Sequence, residues 1–277
     1  MILGMTPEKK AEIQKIMKRS GNSLHSEVVR QLRGDGWNVL VSPYYSDNFT
    51  KKPREIDIIA EKEFLVADIF SHRTFGTVKA RLLIECKYIV GDTVFWFDAR
   101  DKTRAIDRIM SDSELDHPDN NIGVRSHHYY SDEAVAKLVS SGSKGNEDNE
   151  IMNKSINQSL NALVYYRKRS DIFPSKATRN AVLRTFAYPL IVTNSFEKFY
   201  RTDMAMSDSI APIAAPFQLE VNYAYLDADK KPCNEYFLID VLSVDKLSSF
   251  TDSLEKADIH VIIEHARWTE ERRQSPQ

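Results

Sequence analysis

Cysteine is nearly absent: Cys86 and Cys233 are the only two in 277 residues, and neither belongs to a CxxC pair. That argues against a secreted scaffold stapled by disulfides. Glycine is scarce, with nine in all. No GxGxxG, GxxxxGK[ST] or GxSxG occurs, which argues against dinucleotide-binding, P-loop and serine-hydrolase classes. No apolar run approaches the ~18 residues of a spanning helix. The stretch MILGMTPEKKAEIQKIMKRS is too charged for a signal peptide, so the expected setting is cytoplasmic. Neither sign of charge dominates, with 38 basic against 40 acidic residues and a formal charge of -2. This disfavours a histone-like wrapping role but leaves room for a local nucleic-acid site.

Apolar material is plentiful: 42% of residues are hydrophobic, including 12 Tyr and 13 Phe, enough for a buried core. Thr6-Pro7-Glu8 marks a helix start, with proline in the first turn. A second helix, LHSEVVRQLRG, places Leu24, Val28, Gln31 and Leu32 on one broad side, with Val29 beside it, and ends at Gly34-Asp35-Gly36. WNVLV reads as the first strand and SPYYSDNFTKKP as a loop. REIDIIA reads as a strand with Glu55, Asp57 and Ile59 on one face. EKEFLVADIFSHRTFGT is a hairpin arm or an inserted excursion, and VKARLLIECKYIV is a nearly continuous apolar strand. Later come a helix in IMNKSINQSLNALVYYRKR, strands in VLRTFAYPLIVTNS, FQLEVNYAYL and EYFLIDVLS, and a helix in KLSSFTDSLEKA. Interleaved helices and strands predict an α/β fold.

Within VKARLLIECKYIV, Glu85 and Lys87 stand two residues apart and share a face. Charges on such a strand must be paired, bound to a metal or placed at an opening. Asp57, on a strand able to lie alongside, offers a second carboxylate. Two converging carboxylates suit Mg²⁺ or Mn²⁺, and a lysine beside them can contact a phosphate oxygen or orient an attacking water.

These residues, read in order with HSEVVRQLRGDGWNV and INQSLNALVYY, resemble the PD-(D/E)xK, or restriction-endonuclease-like, nuclease superfamily. The resemblance covers residues 20–90 and, more loosely, 150–200. It implies a mixed β-sheet core flanked by helices, a divalent metal and hydrolysis of nucleic-acid phosphodiesters, with DNA as the expected substrate. On this basis Asp57 and Glu85 are metal ligands, Glu27 supports the ion, Lys87 is the catalytic lysine and Gln158 is the helix glutamine near the site. Ile56 stands where the motif has proline. The 27 residues between Asp57 and Glu85 exceed a tight hairpin and make Asp68 a rival first acid. The expected organisation is one elaborated nuclease-like domain over 1–277, with core motifs in 20–200 and a C-terminal elaboration over 207–277. A catalytically inactive nuclease-like protein serving nucleic-acid binding or assembly is the alternative.

Charge along the chain is uneven: residues 101–150 carry a net of -5 and residues 161–206 a net of +5. In the basic segment, Arg167, Lys168, Arg169, Lys176, Arg179 and Arg184 are interleaved with aromatic residues. They are the candidate nucleic-acid contacts. A homodimer or a partner protein is a further expectation for substrate selection. His25 is read as a surface or packing histidine, and His127-His128 as solvent-exposed. His260 and His265 lack zinc-site spacing.

Overall fold

The computed structural model describes residues 5–19, 22–68, 73–112, 124–141, 147–167, 169, 172–173, 182–206, 208–227 and 229–274. Helices α1 (Pro7–Arg19) and α2 (Asn22–Gly34) precede β1 (Asn38–Val41). Leu24, Val28 and Leu32 are the buried side of α2, each contributing roughly 1.5–3 kcal/mol by removal from water. The helix stops because Gly36 adopts φ 83°. Its N–H donates to Arg33 O at 3.2 Å, and that of Trp37 to Leu32 O at 2.9 Å. This double closure of the last turn needs a left-handed residue, which glycine supplies without strain.

Short strands β2 (Tyr44–Ser46) and β3 (Pro53–Glu55) pair with each other. Two long strands follow, β4 (Ile58–Ala67) and β5 (Thr74–Lys87), in antiparallel register from Ile58 against Ile84 outward. Next come β6 (Thr93–Ala99), α3 (Lys102–Asp112), α4 (His128–Ser131), β7 (Ala134–Ser141) and α5 (Glu147–Tyr166). The chain continues through β8 (Val182–Thr193), β9 (Phe199–Asp203), β10 (Ala211–Pro212), β11 (Phe217–Leu226) and β12 (Pro232–Ser243). It closes with α6 (Leu247–Leu254), a π-helical turn over Glu255–Ile259 and α7 (His260–Gln274).

Ten strands form one mixed sheet in the order β1-β4-β5-β8-β12-β11-β7-β6-β9-β10. β8 runs parallel to both β5 and β12. One face packs residues of α2, α3, α6 and α7, and the other packs Met152, Leu160 and Leu163 of α5. The α/β expectation therefore holds at the level of a helix-flanked mixed sheet. Among the described residues, no helix is long and apolar enough to cross a bilayer.

Three local expectations are corrected. REIDIIA is not one strand, because β3 ends at Glu55 and β4 begins at Ile58. Ile56 N–H donates instead to Pro43 O, and Ser42 N–H to Asp57 O. The break arises because Ile56 and Ile59 are packed into one core and Ile58 into the other, which strict alternation through Asp57 cannot achieve. The stretch from Ser42 to Pro53 is not wholly loop, since it contributes β2 and the start of β3. His127 is buried, with 3% exposure, because α4 is pressed against the sheet.

Candidate metal centre

The two faces of β5 differ sharply. Val78, Ala80, Leu82, Ile84 and Cys86 enter the core beneath α2. The opposite face carries Lys79, Arg81, Leu83, Glu85 and Lys87, alternating with them in sequence. Four charges on a buried face must be neutralised locally. At one end of the strand Glu61 of β4 does this, facing Arg81 Nε at 2.6 Å and Lys79 Nζ at 3.2 Å. Arg81 also donates to Tyr166 O and, at 2.6 Å, to Arg169 O, so its guanidinium closes the C-terminal end of α5.

At the other end, the opposing acid comes from the break before β4. Asp57 Oδ2 accepts the Cys86 N–H at 2.7 Å and faces Lys87 Nζ at 3.2 Å. Lys87 Nζ lies 2.6 Å from Glu85 Oε2. Since both carboxylate oxygens touch one ammonium, they are no more than about 6 Å apart, within reach of one small divalent ion and its oxygen ligands. The structure thus brings Asp57, Glu85 and Lys87 together. Asp68 is just past the far end of β4, away from Glu85. Most of the 27 intervening residues belong to β4 and β5, which pair with each other antiparallel.

Glu85 is fully buried, and its Oε1 has no hydrogen-bond partner among the described residues. Burial pushes its carboxyl up to about 8, with Lys87 opposing and Asp57 adding. Burial also works to lower the Lys87 pKa, but Glu85 and Asp57 outweigh it and leave it raised. Lys87 is therefore a charged hydrogen-bond donor here, not a proton acceptor. An orphaned buried carboxylate oxygen beside a second carboxylate is a donor set that fits a hard cation.

Other sequence candidates are placed differently. Gln158 lies on α5, donating from Nε2 to Glu55 O at 3.3 Å. Its Oε1 is also buried without a partner among the described residues. Tyr45 OH donates to the Gln158 main-chain O at 3.2 Å, and burial, with the charge of Glu85 adding, raises the Tyr45 pKa. Glu27 is on α2 and accepts from Gln31 Nε2 at 3.4 Å. Arg167 is half-buried against Glu235 at 2.8 Å. Burial works against ionisation of Glu235, but Arg167, Tyr225 and Arg108 hold its carboxyl down at about 2. Arg169 stacks over Tyr165, and Arg184 donates to Leu183 O. Lys168, Lys176 and Arg179 lie outside the described residues.

His25, read from the sequence as a surface or packing histidine, stands beside the centre. It is half-buried on α2, with Nε2 3.5 Å from Asp57 Oδ2. Only the fold carries this signal, because β4 must bring Asp57 beneath α2. His25, Asp57 and Cys86 place three possible ligand atoms within 4.8 Å of one another. Burial, with Asp57 and Glu85 adding, pushes the Cys86 thiol well up. The neutral thiol makes the carboxylates the more ready ligands.

No family model, no curated protein and no solved structure matches this chain. Its chemistry rests on the geometry alone. Two clusters of His, Asp and Cys among the described residues can hold a metal ion, the second being His127, His128 and Asp258.

In that second cluster the hydrogen bonds fix the protons. His127 Nδ1 accepts the Tyr129 N–H at 3.1 Å, which leaves its proton on Nε2, 3.3 Å from Asp258 Oδ2. His128 meets Asp258 through Nδ1 and both Asp240 oxygens through Nε2 at 3.1 Å. Burial pushes His127 down to about 3. Burial works against charge on His128 too, but Asp258 and Asp240 outweigh it and raise its pKa to about 10. A metal here would have to displace protons.

The raised value makes a prediction about pH. The stability that His128 contributes is present in full below its unfolded value of about 6.5 and is lost as pH rises through about 10. The melting-temperature gap between wild type and His128→Gln should therefore shrink between pH 6.5 and 10. A constant gap across that window would contradict the assignment of an imidazolium.

Proposed function

We propose that this protein is a Mg²⁺- or Mn²⁺-dependent nuclease of the restriction-endonuclease-like type, hydrolysing phosphodiester bonds in DNA. The observation that carries this is the meeting of Asp57, Glu85 and Lys87 at the end of β5, with a buried Glu85 oxygen lacking a donor. The chain order supports it: α2, then antiparallel β1, β4 and β5, then α5, then β8 parallel to β5. That is the helix-flanked mixed core the sequence resemblance implies, with further strands added on one side.

Asp57 and Glu85 would hold the ion, and Glu27 would support it directly or through water. Such an ion supplies Lewis-acid polarisation of the phosphate. Lys87 donates hydrogen bonds to the attacking water and to a phosphate oxygen, where negative charge grows as the pentavalent state forms. Gln158 Oε1, free to accept, fixes water or orients the site. The reading includes a cytoplasmic setting, a single elaborated domain and substrate selection with a second copy or a partner protein.

A non-catalytic, nuclease-like assembly or nucleic-acid-binding role is the second reading. It is favoured by one feature: Lys87 already pairs with both acids as an ion triad. Calorimetric titration with Mn²⁺ and a plasmid-nicking assay separate the two. Wild type should bind Mn²⁺ and cleave, and Asp57→Ala should lose binding and fall at least about 100-fold in rate. Equal cleavage by folded wild type and variant would sink the mechanism, and absence of Mn²⁺ binding by wild type would favour the second reading.

A further inference from the structure

The centre itself is a poor place for a polyanion to land. It offers two carboxylates against one ammonium, so the cations that hold a nucleic-acid strand must stand beside it. Arg167, from the basic segment, is tied up at Glu235, which it shares with Arg108. Other cations stand on the outer face of α2.

A cleft of about 640 Å³ opens there, lined by His25, Ser26, Arg30, Arg33, Val41 and Ser42 among others, with no acidic residue among the described lining. It adjoins the centre at two points. His25 Nε2 lies 3.5 Å from Asp57 Oδ2, and Ser42 N–H donates to Asp57 O at 2.9 Å. Ser42 has φ 53°, a left-handed conformation that costs a non-glycine residue energy and holds this wall against Asp57. Arg30 and Arg33 are exposed, and neither has an acidic partner among the described residues. Ser26, Arg30 and Arg33 form one stripe at helical spacing, spanning about 10 Å along the axis. A duplex strand presents a phosphate about every 3.4 Å of helix axis, so the stripe spans two or three of them.

We infer that this cleft is the substrate-backbone subsite: Arg30 and Arg33 bind phosphates of the DNA strand that flank the one placed at Asp57, Glu85 and Lys87, with Ser26 as an accessory donor. The inference rests on the nuclease reading for the position of the scissile phosphate. Charge complementarity selects the occupant. Two unpaired guanidiniums beside an acid-lined centre match a chain of phosphates in which one enters the centre with a divalent ion and its neighbours remain outside.

The test is fluorescence anisotropy with a fluorescein-labelled duplex 20-mer in Ca²⁺ buffer, using the full chain. Arg30→Ala/Arg33→Ala should weaken DNA binding about tenfold and make the log–log salt slope shallower by about two. Arg30→Lys/Arg33→Lys, which keeps the charge, should retain most of that slope and guards against misfolding as the cause. Unchanged affinity and slope in the alanine variant would overturn the inference. So would an alanine variant that loses binding to phosphatidylserine vesicles while keeping DNA affinity. Wild-type hydrolysis of bis(4-nitrophenyl) phosphate in Mn²⁺ reads the centre separately, since this diester has no flanking phosphates. Loss of DNA binding in the variant upholds the cleft even if that hydrolysis is absent, an outcome that would remove only the nuclease reading.

Discussion

Lys87→Ala is expected to lower the DNA-cleavage rate by about 10²–10³-fold, the usual effect of losing one charged donor aimed at developing phosphate charge. The same substitution should leave Mn²⁺ affinity intact or tighten it. Lys87 Nζ contacts both proposed ligand carboxylates, at 3.2 and 2.6 Å, so its removal takes away a positive charge that repels the ion. This pairing of outcomes separates a catalytic lysine from a structural one. A lysine serving only to neutralise Glu85 would, when removed, leave cleavage near the wild-type rate once metal is bound. Single-turnover rates at saturating Mn²⁺, set beside calorimetric Mn²⁺ binding, read both quantities. Cleavage within a few fold of wild type would remove Lys87 from the mechanism.

Arg81→Ala is expected to destabilise the fold by about 3–5 kcal/mol, as when one partner of a buried ion network is removed. Arg81 is fully buried and joins Glu61 of β4 to two carbonyls at the end of α5. Among the described residues its loss leaves Glu61 with Lys79, leaves Tyr166 O with only the Arg169 N–H, and takes from Arg169 O its donor near a helix terminus, where positive charge is favourable. For a chain of this length the corresponding fall in melting temperature is about 10 °C. Arg81→Lys should fall between the two, because one ammonium cannot serve three acceptors in the planar fork geometry. Thermal unfolding followed by circular dichroism checks it, and a change below about 1 kcal/mol for Arg81→Ala would show that the network is dispensable.

The sequence made some of this legible and hid the rest for identifiable reasons. Glu85 and Lys87 stood out because they interrupt an apolar strand at a spacing of two, and a strand preserves that spacing as a shared face. Lys79 and Arg81 obey the same rule, yet their neutralisation by Glu61 and α5 depends on register and on a helix far along the chain. Asp57 was legible as an acid near apolar residues, but the break at Ile56 was not. It exists because Ile56 and Ile58, two residues apart, are packed into different cores. His25 read as a surface or packing histidine until β4 and the strained Ser42 placed the centre beside it. The paired histidines failed for a different reason. A polar doublet between polar segments reads as surface, and only Asp240 and Asp258, more than a hundred residues away, make its burial tolerable.

The order of strands in the sheet bears on how the chain assembles during synthesis. β12 separates β8, which flanks the strand bearing Glu85 and Lys87, from β11 and the strands beyond. Yet β12 follows every other described strand in the chain. A ribosome would therefore release β4, β5 and β8 well before the strand that covers the open edge of β8. α7, which packs on β4 and β5, follows later still. Such distant pairings slow folding and leave the interval before β12 arrives as the period when an exposed parallel edge can recruit the wrong neighbour. The strands that carry the centre are made early in the chain, and the neighbour that closes their sheet edge is made late.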